Sequence, residues 1–213
     1  MPPSRLIVTP TELERNRLRD AGARWDEIHV IGFGLVESAA GMAELLASSR
    51  SHATPVTLGD ASPSVMLCGI AGTFDPRRFG VGQAIRVDQV RIDGIGIGNR
   101  LDGEFQSAAS LGWHRDAPLR FDATSGGGGL TALSVAAAAS GPREAADRRV
   151  RYPDAAIEDM ETYSIAAICH AYRVDLTVIR GISNVVGDRR PEHWKIDQAC
   201  QSIVATAAAM SLG

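Results

Sequence analysis

With 213 residues, 45% of them hydrophobic and 22% charged, the chain is long enough to bury a core without cross-links. A net charge of -3 and a pI of about 5.9 argue against nucleic acid or an anionic membrane surface as the main partner. The three cysteines, Cys68, Cys169 and Cys200, are odd in number, lie in apolar runs and lack zinc-site spacing, which implies reduced, buried thiols.

The N-terminal MPPSRLIVTP has no apolar segment of secretory length, and no window approaches the ~18 apolar residues of a membrane span. A cytoplasmic location is therefore expected. RLIVTP reads as a buried first strand stopped by Pro10. In the following TPTELERNRLRDAG, Thr11 and Glu14 have capping-box spacing and Gly22 closes the helix. EIHVIGFG reads as a second strand. LVESAAGMAELLASS is then a helix with Leu35, Ala39, Met42, Leu45 and Leu46 on one face. SVMLCGIAG is a buried strand running into a glycine turn, and AIRVDQVRID alternates like a strand. The stretch 94–122 reads as loops with one short helix, and the SGGGG run beginning at Ser125 as a flexible loop. Alternation of Thr131, Leu133 and Val135 makes LTALSV a strand. TYSIAAICHAY is a helix, VDLTVIRGIS a buried strand, and EHWKIDQACQSIVATAAAMSL a long closing helix. Strands alternating with helices predict an α/β domain built on a parallel or mixed sheet.

Ligands of open α/β sheets bind beyond the carboxyl ends of strands. Those positions hold TPTELE with Glu12 and Glu14, then GFG, GIAG and GISNVVGD. GFGLVES lacks the third glycine of a dinucleotide loop, since residue 37 is Glu. Small turns, a few carboxylates and one amide suit a small polar ligand. Taken singly, Glu14 reads as a helix cap, Glu161 as a favourable charge at a helix N-terminus, and Asn184 as a turn cap.

Residues 157–188, IEDMETYSIAAICHAYRVDLTVIRGISNVVGD, resemble the signature of the nucleoside phosphorylase and nucleosidase superfamily, in which a Met-Glu pair precedes a helix and a later strand ends in Ile-Ser-Asp or Ile-Ser-Asn. LIVTPTELE, GFGLVESAAG and GIAGTF fall in the superfamily's order. Within it the chain is most similar to the futalosine hydrolases, relatives of the methylthioadenosine/S-adenosylhomocysteine nucleosidases. The resemblance implies a purine nucleoside phosphorylase-like three-layer sandwich with a central mixed sheet, one domain over residues 1–213. It implies no metal and no organic cofactor. The expected partner is a small-molecule nucleoside, in a homodimer or larger homo-oligomer whose interface the apolar helix near 35–46 would supply.

The same resemblance assigns roles. Glu161 accepts from the ribose 2′- and 3′-hydroxyls, and Met160 packs on the sugar. Glu14 activates water, with Glu12 as its competitor. Ala71 and Gly72 allow close approach of base and ribose. Asn184 stands where adenosine-type enzymes carry Asp, and its NH₂ donor and C=O acceptor suit a 6-oxopurine. Arg180 would orient carboxylates, a base-stacking residue is expected from 131–140, and, since the side chain of futalosine ends in a benzoate, His114, Arg115 or Arg120 would meet that group. The rivals are a methylthioadenosine-type nucleosidase, a phosphate-dependent phosphorylase, and a nucleoside-binding protein without catalysis.

Overall fold

The computed structural model describes residues 5–51, 64–98, 105–113, 117–121 and 129–210. Strand β1 (Arg5–Thr9) delivers Pro10 and Thr11 to helix α1 (Glu12–Asp20). The capping box forms as the spacing predicts: Thr11 Oγ1 accepts from the Glu14 N–H at 3.2 Å, and the Thr11 N–H donates to Glu14 Oε2 at 3.1 Å. Past α1, Gly22 turns the chain at φ +90°. The second strand is far shorter than EIHVIGFG suggests. Strand β2 covers only His29–Val30, because Gly32 at φ +101° swings the backbone into helix α2 (Gly34–Ser51). Of the apolar stripe on α2, Met42 and Leu46 are buried in the chain's own core, while Leu35, Ala39 and Leu45 are partly exposed and Val36 beside them is 81% exposed.

Strand β3 (Ser64–Thr73) runs extended through Ile70, Ala71 and Gly72, so the turn expected at GIAG is absent. AIRVDQVRID is two strands, β4 (Ala84–Val87) and β5 (Gln89–Asp93), separated by Asp88. The stretch 94–122 is mostly loop, as expected; among its described residues there is no helix, and three two-residue strands interrupt the loops: β6 (Gly96–Ile97), β7 (Gln106–Ser107) and β8 (Leu119–Arg120). Positions 125–128 of the glycine run lie outside the described residues. Strand β9 (Thr131–Val135) is as predicted. It is followed by two elements that the sequence pattern does not disclose, helix α3 (Pro142–Arg151) and strand β10 (Ala155–Asp159). Helix α4 (Thr162–Tyr172), strand β11 (Asp175–Val185), a 3₁₀ turn (Pro191–His193) and helix α5 (Ile196–Met210) complete the order.

The main sheet runs β2-β1-β3-β10-β9-β5-β8, with β11 on the opposite edge of β3 and β4 beyond β11. Pairing is mixed: β11 and β1 lie parallel to β3, while β10 lies antiparallel to it. β4 pairs with β11 at one side and β5 with β9 at the other, yet only Asp88 separates them. The sheet must therefore curl round until these two margins meet. Helices α1 and α5 pack together on one face and α2 and α4 on the other, which gives the expected α/β three-layer arrangement. Val8, Met42, Leu67, Ile165 and Ile182 belong to the core beneath α2 and α4; Leu18, Cys68, Ile179 and Ile203 belong to the one beneath α1 and α5.

Candidate active site

One edge of β3 is shared by two strands. β1 pairs with residues 64–67 and β10 with residues 72–73, which leaves a gap in the ladder between them. Glu14 fills it. Its Oε1 accepts from the Ile70 N–H at 2.9 Å, while Oε2 accepts from Thr11 Oγ1 at 2.6 Å. The capping box thus fixes a carboxylate that is 4% exposed at the end of β1. Glu12 has its side chain 61% exposed and paired with Arg15, and it does not line the pocket that Glu14 lines.

Beside Glu14 lies Arg180 of β11, completely buried. Its Nη2 contacts Asp159 Oδ2 at 2.8 Å, Glu161 Oε2 at 3.4 Å and Thr162 Oγ1 at 2.9 Å. Its Nη1 has no partner among the described residues. Gly69 makes this placement possible: a Cβ there would lie 2.2 Å from Arg180 Nη1 and 3.0 Å from Glu14 Oε1. The expected orienting role of Arg180 thus has a geometry, with one cation serving the carboxylates of β10 and its C-terminal end.

Glu161 is the N-cap residue of α4, but its side chain does not cap that helix. Its Oε1 instead accepts from the Gly34 N–H at 3.2 Å, at the start of α2, where the helix dipole favours an anion. Burial pushes its pKa up to about 7; Arg180 and the Gly34 N–H work against the shift, and Asp159 and Glu14 add to it. The neighbouring acids are not solvated. Glu158 and Asp159 are 6% and 5% exposed, each held by a buried arginine, Arg148 and Arg180 respectively.

β11 shifts register against β3 between Ile182 and Asn184, a bulge that sets Asn184 opposite Gly72. Asn184 is pinned at both ends of its amide. Oδ1 accepts from Ser183 Oγ at 2.8 Å and Nδ2 donates to Val185 O at 2.9 Å. Nδ2 also donates to Asp188 O at 3.5 Å, a long contact that a ligand acceptor can displace, and one Oδ1 lone pair is open to a ligand.

A pocket of about 250 Å³ brings Glu14, Ala71, Gly72, Met160, Glu161 and Asn184 together, so the residues that the resemblance assigns to water, sugar and base line one cavity. The segment 131–140 contributes only Ala138, and the rings of the pocket are Phe33 and Trp194 instead. Phe33 sits between the two glycines of GFG, a signal that was present; nothing local marks Trp194. The Trp194 Nε1–H is tied to Asp188 O at 3.2 Å, and the Arg189 guanidinium lies 5.3 Å from its ring centroid. Arg189 is the cation at this rim. Arg120 is on β8 and does not line the pocket, while His114 and Arg115 lie outside the described residues.

The sequence model of the phosphorylase superfamily matches residues 47–212. Futalosine hydrolase from Streptomyces coelicolor is 29% identical over 180 residues, covering 81% of this chain and 75% of that protein. The fold is that of nucleosidase structures. The 5′-methylthioadenosine/S-adenosylhomocysteine nucleosidase of Helicobacter pylori, solved with butyl-thio-DADMe-Immucillin-A, aligns with a TM-score of 0.71 at 12% identity, covering 99% of both chains. The native futalosine hydrolase of H. pylori aligns with a TM-score of 0.70 at 12% identity, covering 98% of this chain and 97% of that one. The curled mixed sheet flanked by helices is common to them, and the family match spans most of the sequence: the chain belongs to the phosphorylase superfamily.

Proposed function

We propose that this N-glycosyl hydrolase acts on futalosine, releasing hypoxanthine and dehypoxanthine futalosine in menaquinone biosynthesis. The observation that carries the reading is the convergence of Glu14, Glu161 and the pinned Asn184 on one pocket. The transition state of N-riboside cleavage is oxocarbenium-like, so carboxylates near the sugar favour it electrostatically. Glu161 accepts from the vicinal diol. Glu14 accepts from the attacking water. As the C1′–N9 bond breaks, the water oxygen bonds to C1′ and its proton passes to Glu14. The departing base takes a proton at N7 from solvent, made good when Glu14 releases the proton it took from water; Asn184 Oδ1 then accepts from the N7–H, while Asn184 Nδ2 donates to O6.

Two features favour futalosine over methylthioadenosine. The relative at 29% identity is a futalosine hydrolase, and the pocket rim offers Arg189 beside Trp194, a cation and a ring suited to an aryl carboxylate. The test incubates the protein with futalosine and with methylthioadenosine in phosphate-free buffer and follows the released base by chromatography. Hypoxanthine from futalosine is expected, with turnover lost but binding kept in Glu14→Gln. Arg189→Met raises KM for futalosine about tenfold, through loss of a charge-assisted contact, and leaves KM for inosine unchanged. Adenine from methylthioadenosine with futalosine untouched would overturn the proposal.

A further inference from the structure

Glu158 lines the pocket, yet none of the roles above uses it. Its place in the sheet is specific. On β3, Gly72 has Asn184 of β11 as its register partner on one edge and Glu158 of β10 on the other. Register partners on adjacent strands project to the same face, and strands lie about 4.8 Å apart. Asn184 and Glu158 therefore flank a strip about 10 Å wide between their backbones. Gly72 adds no side chain of its own to the middle of that strip, and Val186 packs there instead, its Cγ2 3.0 Å from where a Cβ on Gly72 would be, so that a base would lie over Val186. A flat heterocycle whose edge spans the strip meets the amide at one end and the carboxylate at the other.

The carboxylate is held in place. Glu158 Oε1 accepts from the Ala139 N–H at 2.9 Å, and Oε2 pairs with Arg148 Nη1. Arg148 is itself fixed by Ala137 O at 2.8 Å, Glu144 Oε1 at 2.6 Å and Asp93 Oδ2 at 3.6 Å. Each carboxylate oxygen accepts two hydrogen bonds, so both oxygens keep capacity toward the pocket. Burial pushes the Glu158 pKa up, and Arg148 is the largest influence opposing that shift.

We propose that Glu158 is a specificity-determining residue that accepts from the N1–H of a 6-oxopurine, with Arg148 as its positioning residue. The proposal rests on the nucleosidase reading above and adds a second reader of the base. The two readers differ in kind. An amide turned end for end exchanges its donor and acceptor, so Asn184 discriminates only while Ser183 and Val185 pin it. An ionised carboxylate only accepts. It pairs with the lactam N1–H of hypoxanthine and opposes the N1 lone pair of adenine, whatever its rotation. A carboxylate buried merely to anchor α3 through Arg148 would not distinguish the two bases.

The experiment compares kcat/KM for futalosine and for its 6-amino analogue in the wild type and in Glu158→Gln. The wild type favours the 6-oxo compound. In Glu158→Gln the ratio of 6-oxo to 6-amino drops about 10²-fold, because the charge-assisted bond to N1–H is lost and the new NH₂ donates to adenine N1. A fall of both substrates in step, with the ratio unchanged, would overturn the proposal and leave Glu158 as an anchor for Arg148. The wild type alone provides a second reading, which does not depend on how the variant folds. Bound hypoxanthine labelled with ¹⁵N at N1 shows a downfield, exchange-protected N1–H in the complex; an N1–H exchanging as fast as in free hypoxanthine would equally overturn the proposal. Futalosine left uncleaved by the wild type is a separate result, which removes the proposed function and this inference with it.

Discussion

Burial raises the Glu161 carboxyl from 4.5 to about 7, although Arg180 and the Gly34 N–H favour its ionised form. Between those two values the folded chain holds a proton that the unfolded chain has released. The contribution of Glu161 to folding stability is therefore fully present below about 4.5 and is lost as pH rises to about 7, about 3 kcal/mol at most. Urea unfolding of the wild type across that window should show the decline, and Glu161→Gln should show a smaller one, the remainder coming from Glu158, whose pKa burial also raises. Activity runs the other way. In the proposed role a protonated Glu161 is a weaker acceptor for the ribose hydroxyls than the carboxylate, so kcat/KM should rise with pH and level off above about 7. A stability profile in the wild type as flat as in Glu161→Gln would mean that the charge is better compensated than the burial implies.

Among the elements, α4 ends unusually. Arg173, its C-cap, is the one described non-glycine residue at positive φ, 55°. A left-handed residue with a Cβ costs about 1–2 kcal/mol, whereas glycine's greater freedom in the unfolded chain costs less than that. Arg173→Gly should stabilise the protein by roughly 0.5–1 kcal/mol and raise Tm by about 2 °C, measured by calorimetry. Elements that follow local rules were legible in the sequence: the capping box at Thr11, the stripe of α4, the apolar runs of β3 and β11. α3 and β10 were not, for a physical reason. PREAADRRVR has no apolar stripe, and its one buried residue is Arg148. β10 ends in Glu158 and Asp159, which look solvated until their arginines arrive from α3 and β11. Long-range charge compensation leaves no trace in a local pattern. That Glu14, Met160, Glu161 and Asn184 belong together was suggested by their resemblance to a known signature, and they do line one pocket, but the groups around them, Arg180 Nη1 beside Gly69 and the N–H of Gly34, depend on tertiary placement.

For the molecule as a whole, the curl of the sheet was the illegible part. AIRVDQVRID has one alternating rhythm, and only the pairing shows that Asp88 divides it between two margins. Asp88 is bound there: its N–H donates to Leu130 O at 3.0 Å and its Oδ2 accepts from the Leu130 N–H at 3.1 Å. Protection should follow the same topology. β3 and β11 pair over ten positions and each has a further strand on its other edge, whereas β2 and β8 are two-residue strands at the ends of the order. Amide hydrogen exchange should therefore be slowest in β3 and β11 and fastest in β2 and β8. Exchange in β11 as fast as in β8 would contradict a centre built on that pair.

The free thiols are distributed one to a layer: Cys68 in the sheet, Cys169 in α4 on one face and Cys200 in α5 on the other, all buried with pKa values pushed up to about 12. A thiol reagent reaches each sulfur only when its own layer opens, and the rate of modification at each position is a clock for that opening. The native chain thus carries three chemical reporters, able to distinguish a helix lifting from one face, a helix lifting from the other, and the sheet itself coming apart.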